Sequence, residues 1–390
     1  MKTINDFDIK DKRVIIRCDF NVPIKDGKII DDNRIIQSLE TINYCLENGA
    51  KVILLSHLGR IKEKSDLEKN SLEIVSKRLS KLIGRPVLFI PATRGIELEK
   101  AVSSMKSQDI ILLQNTRYED LDEKKESSND PSLGKYWASL GDIFINDAFG
   151  TIHRAHASNV GIATYLPSGI GFLVKKELDK LSILENPPHP FYVILGGAKV
   201  SDKIGVIKNL ATKADKILIG GGMAFTFLKA KGYNIGKSLL DSDSLEFCKQ
   251  ILKEFDSKII LPVDIAVTNE YTNDEQYRTK DIEDICDDEM GLDLGEKTIH
   301  YFQQALKDAG LIVWNGPLGV YEFSKYKRAT EDLLNYIVSY NLKTILGGGD
   351  IVAAAANVHV KDKVYHASTG GGATLEYLEG KKLPGLEAIK

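Results

Sequence analysis

Short apolar runs rich in valine and isoleucine recur along the whole chain. In the first half they fall at residues 13–18, 51–55, 87–90, 110–113 and 143–145. In the second half they fall at 192–195, 216–219, 259–261, 311–313 and 344–346. Near-continuous apolar runs of this length predict strands buried on both faces. Between many of them the spacing turns helical. Ile35, Ile36, Leu39, Ile42 and Leu46 share one helical face, and Gly49 stands where a helix C-terminus takes glycine. Residues 71–83 and 298–306 read in the same way. Strands alternating with helices predict parallel sheets covered by helices.

The midpoint carries the clearest boundary. Phe172, Leu173, Leu178, Leu181 and Leu184 have helical spacing, and Asn186-Pro187-Pro188-His189-Pro190 follows, which no helix can cross. The pattern predicts a connecting helix over 172–185 and a new domain after it. The expected fold class is α/β: two doubly wound parallel-sheet (Rossmann-like) domains joined by that helix, with an interdomain cleft. The first covers 1–171 and the second 172–374. Residues 122–130, polar and charged, read as a solvated loop.

Composition narrows the class. The 390 residues are 43% hydrophobic and 27% charged, which is ordinary for a globular chain of two domains. A net charge of −3 disfavours general nucleic-acid or membrane-surface binding, so any basic site must be local. Cys18, Cys45, Cys248 and Cys286 are far apart, which fits a reducing compartment. The N-terminus lacks the apolar core of a signal peptide, and no apolar run approaches the ~20 residues of a membrane span. The expected setting is cytoplasmic.

The two halves differ in what they place after their strands. The second half offers glycine: Gly196-Gly197, Gly220-Gly221-Gly222, Gly347-Gly348-Gly349 and Gly370-Gly371-Gly372. Such loops bring backbone N–H groups close to an anion, or serve only as tight turns. Lys199 and Lys203 lie four apart beside one of them, where two mobile cations can follow a phosphoryl group. Asp350 is placed to reach a Mg²⁺ that bridges phosphates, and Glu322 to accept from a ribose. The first half offers Arg17, Asp19 and Asn21, then His57 and Arg60, Arg117, and His153-Arg154-Ala155-His156, with Arg34 opening the first helix. Arginine suits bidentate binding of carboxylate and phosphate, though a lone arginine after a strand is usually a surface ion pair. Residues 232–238 fall one residue short of a phosphate-binding P-loop and read as a chance resemblance. No G-x-G-x-x-G follows a candidate strand, which weakens a dinucleotide dehydrogenase reading.

Taken in order, the segments resemble phosphoglycerate kinase. The motifs are Arg17-x-Asp19-Phe20-Asn21-Val22-Pro23, Ser56-His57-Leu58-Gly59-Arg60, Asn146-Asp147-Ala148-Phe149-Gly150-Thr151-x-His153-Arg154-Ala155-His156, Leu195-Gly196-Gly197-Ala198-Lys199-Val200-x-Asp202-Lys203, Gly220-Gly221-Gly222-Met223-Ala224, Trp314-Asn315-Gly316-Pro317 and Ser368-Thr369-Gly370-Gly371-Gly372-Ala373. The resemblance implies reversible phosphoryl transfer from 1,3-bisphosphoglycerate to MgADP, giving 3-phosphoglycerate and MgATP, by direct in-line transfer after hinge closure. It implies that Asp19, Phe20, Asn21, Arg34, His57, Arg60, Arg117 and Arg154 bind the phosphoglycerate. For the nucleotide it implies Lys199, Lys203, Gly220, Gly221, Gly291, Asn315, Glu322, Gly348, Gly349, Asp350, Ile351, Gly371 and Gly372, with Asp350 serving Mg²⁺. Arg34 and Lys199 are the expected catalytic pair. It further implies a glycolytic transferase acting as a monomer, with small-molecule substrates only, and a C-terminal segment near 375–390 returning to the first domain.

Four positions depart from the family pattern. Ile351 stands for a usual Ser or Thr, removing a hydroxyl expected to face phosphate. A charge-assisted hydrogen bond is worth roughly 1.5–3 kcal/mol, so nucleotide affinity is expected to fall by about ten- to a hundredfold. Gln114 replaces a Glu, Glu289 a Trp and Cys18 a Val. A kinase scaffold that has lost activity and an NAD-dependent dehydrogenase are the alternatives.

Overall fold

The computed structural model describes residues 1–273 and 277–389. The chain divides into two compact units. One is Met1–Asp179 with the C-terminal residues from Lys382 onward; the other is Lys180–Lys381.

The first unit is built on one six-stranded parallel sheet. Its strands are β1 (Arg13–Cys18), β2 (Lys51–Leu55), β3 (Leu88–Ile90), β4 (Ile110–Leu113), β5 (Ile143–Asp147) and β6 (Ser168–Ile170). The order across the sheet is β3-β4-β2-β1-β5-β6, and every neighbouring pair is parallel. Alternate residues enter opposite cores, which is why the runs are apolar at nearly every position. Val14 and Ile16 pack on one side with Val52, Leu54 and Ile145, while Ile15, Ile53, Ile111 and Phe144 pack on the other. Helix α1 (Asn33–Glu47) lays Ile35, Ile42 and Leu46 on the first of these cores. Beyond its end Gly49 takes a φ of +75°, a left-handed conformation that suits glycine.

The second unit repeats the plan. Its strands are β7 (Phe191–Leu195), β8 (Lys216–Ile219), β9 (Ile259–Ile260), β13 (Leu311–Asn315), β14 (Thr344–Leu346) and β15 (His366–Ala367), in the parallel order β9-β8-β7-β13-β14-β15. A separate antiparallel sheet comprises β10 (Asp264–Thr268), β11 (Arg278–Asp281) and β12 (Met290–Leu294), with β10 in the middle. This sheet is absent from the apolar pattern. Asp264 opens β10 and Asp293 interrupts β12, although both strands are buried almost throughout, and β11 is wholly polar, so no long apolar run announces them.

Other differences are local. Helical structure at the midpoint runs as an α-helix, α2 (Phe172–Leu181), followed by a 3-10 turn, Ser182–Leu184. The division between units falls within α2. A short helix, Pro384–Glu387, belongs to the first unit, where the Gly385 N–H donates to the Ile152 carbonyl at 2.8 Å; Lys390, the end of the C-terminal segment expected from the sequence, lies outside the described residues. The stretch 122–130 corrects the sequence reading. It is not uniformly solvated, because Glu126 at its centre is fully buried.

Candidate active site: an anion cradle and a glycine-lined cavity

In the first unit the chain leaves β1 toward β2 on one side and leaves β5 toward β6 on the other. The carboxyl ends at such a reversal form a crevice. The segments after β1, β2, β4 and β5 deliver Asp19, His57, Arg117 and Arg154 to it, and α1 adds Arg34. Arg34 Nη1 donates to Asp19 Oδ2. Asn21 Oδ1 accepts from the Gly59 N–H at 2.8 Å, tying the first loop to the second. Asn115 holds the third by donating to the carbonyls of Leu58 at 2.6 Å and Asn70 at 2.9 Å while accepting from the Arg117 N–H at 3.0 Å. Arg117 pairs with Asp120 at 3.6 Å, yet its Nε–H is buried without a protein acceptor. Arg154 Nε donates to His153 Nε2 at 3.2 Å.

Charge in this cluster is arranged without histidine protonation. Burial, then the neighbouring Arg17, Arg117, Arg154 and Arg34, pushes His57 well below its ordinary value. Burial and Arg154 push His153 down to about 4, and burial with Arg117, Arg17 and Arg154 pushes His156 down to about 3. At neutral pH the cations are therefore guanidiniums and the imidazoles are neutral N–H donors. Such a cluster binds a multiply anionic molecule without first taking up protons. Two predicted members sit differently. Phe20 is fully buried in the apolar core, so its side chain reaches no ligand, and its N–H is already given to Ser56 Oγ at 2.8 Å. Arg60 is exposed beside Gly59.

In the second unit the chain reverses between β7 and β13, and the glycine loops follow β7, β8, β13, β14 and β15. Several of these glycines are needed by one another. A Cβ on Gly196 would lie 2.1 Å from the Pro317 carbonyl oxygen, and one on Gly221, whose φ is +63°, would lie 2.7 Å from the Gly197 backbone. Beside them opens a cavity of about 540 Å³ lined by Gly221, Gly291, Glu322 and Asp350 among the predicted residues. Its apolar wall, which no motif marks, is Phe225, Leu239, Tyr271, Met290, Leu292 and Val320. Met290 and Leu292 come from β12, and in sequence they look like ordinary core residues.

The remaining predicted residues separate into groups. Lys203 Nζ donates to Asn315 Oδ1, whose amide in turn donates to the Gly347 carbonyl. Burial pulls the Lys203 ammonium down from its ordinary value, opposed by Asp202, Asp350 and Glu379. Lys199 is exposed after the Gly197 turn. Gly348, with φ +108°, and Gly349 open helix α3 (Gly349–Asn357), and Gly371 and Gly372 open a shorter one, Gly372–Leu378. Gly220 does not reach the cavity; Leu318 and Leu294 cover it. Ile351 is a correction. Its side chain is fully buried with Leu346, Ala354 and Ala355, so position 351 points into the core and offers a ligand only its backbone N–H. The P-loop-like run 232–238 joins no strand to a helix. It follows the helix Met223–Ala230, and Ser238 Oγ accepts from the Gly291 N–H at 2.9 Å.

For a metal, the donor set is thin. Among the described residues no group of three or more His, Cys, Asp or Glu side chains is placed to hold an ion. Exposed Asp350 supplies one hard oxygen at the cavity, which fits a Mg²⁺ that arrives with its own phosphate ligands. Asp293, also in the lining, does not: burial raises it to about 8, so it is protonated at neutral pH, and it accepts from the Ala329 N–H at 3.1 Å.

Comparison with known proteins decides the family. The phosphoglycerate kinase family model matches residues 4–381. The chain belongs to the phosphoglycerate kinase family. Curated phosphoglycerate kinases of Listeria welshimeri and Enterococcus faecalis are 55% and 56% identical to it, over 100% of this chain and 98% of each relative. The solved phosphoglycerate kinase of Coxiella burnetii has a TM-score of 0.89 at 38% identity, covering 100% of this chain and 98% of that one. That of Pyrococcus horikoshii gives 0.86 at 32%, with the same coverage. The dehydrogenase and inactive-scaffold readings find no support, and the second loses its motive once Ile351 is seen in the core. The other departures from the phosphoglycerate kinase motifs are also accommodated locally. Gln114 accepts from the N–H groups of Leu72 and Asn115 at 2.9 and 2.8 Å, and Glu289 pairs with Lys280 at 2.9 Å. Cys18 is buried in the core.

Proposed function

We propose that the chain transfers a phosphoryl group reversibly between 1,3-bisphosphoglycerate and MgADP, yielding 3-phosphoglycerate and MgATP in glycolysis. The observation that carries this reading is the split of chemistry between units. One gathers guanidiniums and neutral imidazoles into an anion cradle; the other sets a cavity with an apolar wall beside glycine loops and a single carboxylate for Mg²⁺. Phosphoryl transfer calls for positioning and charge neutralisation, with no covalent intermediate on the protein.

In this reading Asp19, Asn21, His57, Arg60, Arg117 and Arg154 hold the phosphoglycerate, with Asp19 aiming Arg34 through their ion pair. Lys203 and Asn315 order the phosphate end of the nucleotide, Glu322 takes the ribose, and the apolar wall takes the base. Gly221 and Gly291 give the base its backbone surface; Gly220 supports them from behind. The N–H groups at Gly348 to Ile351 and near Gly371 and Gly372 meet phosphate oxygens. Asp350 would meet a Mg²⁺ brought by the nucleotide, which would supply charge neutralisation at the phosphates. Arg34 and Lys199 stabilise the transferred group. Transfer then requires the two units to approach with both substrates bound, excluding water. The enzyme works as a cytoplasmic monomer, checked by sedimentation.

A coupled assay with 3-phosphoglycerate and MgATP tests the reaction, and folded protein without turnover overturns it. Arg34→Ala is expected to lower kcat by about 10³-fold, the scale of an arginine acting on a phosphoryl transition state. A near-normal kcat in that variant refutes the role given to Arg34.

A further inference from the structure

Glu126 lies in the stretch that reads as a solvated loop, yet it is fully buried, and none of the roles above uses it. It accepts from the Ser158 N–H at 2.9 Å and from the Ser158 hydroxyl. Ser158 Oγ in turn accepts from Arg17 Nε at 2.8 Å. Arg17 is itself fully buried, so it meets no ligand. Its Nη1 donates to the Cys18 carbonyl, and its Nη2 stands 3.4 Å from His57 Nδ1. A guanidinium has no lone pair to accept with. The His57 nitrogen that faces it must therefore carry the lone pair, and the ring proton sits on Nε2. The competing arrangement turns an Nδ1–H toward Asp19 Oδ1, which lies farther off at 4.0 Å.

We propose that Glu126 is a positioning residue: through Ser158 and Arg17 it fixes His57 as the Nε2–H tautomer, so that His57 offers an N–H rather than a lone pair to the phosphoglycerate. The inference rests on the phosphoglycerate-binding role proposed for His57. The relay is continuous and buried. Ser158 sits in a single π-helical turn, Ala157–Gly161, a form that often marks functional sites. The same carboxylate lies 3.7 Å from His156 Nδ1, and its backbone carbonyl accepts from the Ala157 N–H at 2.9 Å. One residue thus anchors both the segment after β5 and the guanidinium behind His57. Removing its charge frees Arg17 to shift and leaves Asp19 as the stronger neighbour of His57 Nδ1.

The test is ¹⁵N NMR of histidine-labelled, ligand-free protein, which reads the tautomer directly. The parent should show His57 as Nε2–H. Glu126→Gln and Ser158→Ala should each move His57 toward Nδ1–H. In Glu126→Gln the KM for 3-phosphoglycerate should rise about tenfold, the loss of one well-aimed hydrogen bond to an anion, while the KM for MgATP stays within about twofold. A parent His57 in the Nδ1–H form overturns the proposal. So does an unchanged tautomer, or an unchanged KM for 3-phosphoglycerate, in Glu126→Gln. If Glu126→Gln does not fold, Ser158→Ala carries both readouts, because it cuts the relay and keeps the buried charges. A parent without turnover fails the proposed reaction and leaves the tautomer result intact; a parent with turnover but an unmoved tautomer in the variants fails only the inference.

Discussion

At the scale of single residues, position 351 shows how a motif can mislead about direction. A run of glycines and an aspartate marks a phosphate loop, and the next residue is naturally read as facing the same ligand. Helix α3 begins at Gly349, however, and the turn it starts carries Ile351 into the core of the second unit. Ile351→Ser should therefore act on stability rather than affinity. Removing a buried isoleucine and burying a hydroxyl in its place costs about 2–5 kcal/mol. Urea unfolding followed through Trp314, fully buried in the same core, measures it. The affinity for MgADP should stay within about threefold, because the backbone N–H that remains makes the same contact. Calorimetry that finds tighter MgADP binding by tenfold or more restores a ligand-facing side chain at this position.

At the scale of elements, the start of α2 depends on one buried carboxylate. Asp147, at the end of β5, accepts from the Leu173 N–H at 2.9 Å and the Val174 N–H at 3.3 Å, while Thr41 Oγ1 accepts from the Phe172 N–H at 2.9 Å. Gly171 has no room for a side chain, since a Cβ would lie 2.3 Å from the Asp147 carboxyl carbon. Burial raises Asp147 to about 6, against the hydrogen bonds from Thr41, Val174 and Leu173 that favour its charged form. A carboxyl raised on folding holds its proton more tightly in the folded state. Its contribution then favours folding below about pH 4 and is lost as pH rises through about 6, a change of order 3 kcal/mol. Asp147→Asn removes that dependence. The stability difference, parent minus variant, should fall by about that amount between pH 4 and pH 7. Denaturation of the first unit followed through its buried Trp137 checks the sign; a difference that rises with pH contradicts it.

At the scale of the whole molecule, the proposed function gives the two units separate ligands, and each unit holds one fully buried tryptophan, Trp137 or Trp314. A ligand that binds only the folded state of one unit stabilises that unit by mass action, by roughly 2.7 kcal/mol at a hundred times its Kd. 3-Phosphoglycerate should therefore raise the transition seen by Trp137 and MgADP the one seen by Trp314. Single-tryptophan variants, Trp314→Phe and Trp137→Phe, separate the two signals. MgADP acting chiefly on the Trp137 transition would reverse the assignment of ligands to units.

The sequence by itself determined the two parallel sheets, because strands buried on both faces must be apolar at nearly every position, and β1, β2, β4, β8 and β14 stand where their runs stand. It also determined which residue types follow those strands, arginine and histidine in the first half and glycine in the second. Tertiary structure decided which of those residues reach a ligand. Phe20, Gly220 and Ile351 lie in the right loops, yet their environment turns them inward or covers them. Glu126 reads as one solvated charge among many, and only the distant Ser158 and Arg17 give it a buried role. The sheet of β10, β11 and β12 left no continuous apolar run because buried Asp264 and Asp293, held by backbone N–H groups from distant segments, interrupt its short apolar stretches, while β11 is polar throughout and held by ion pairs. Sequence pattern reports burial averaged along an element. The direction of one side chain, and the partner that meets it from far along the chain, are set only when the elements pack.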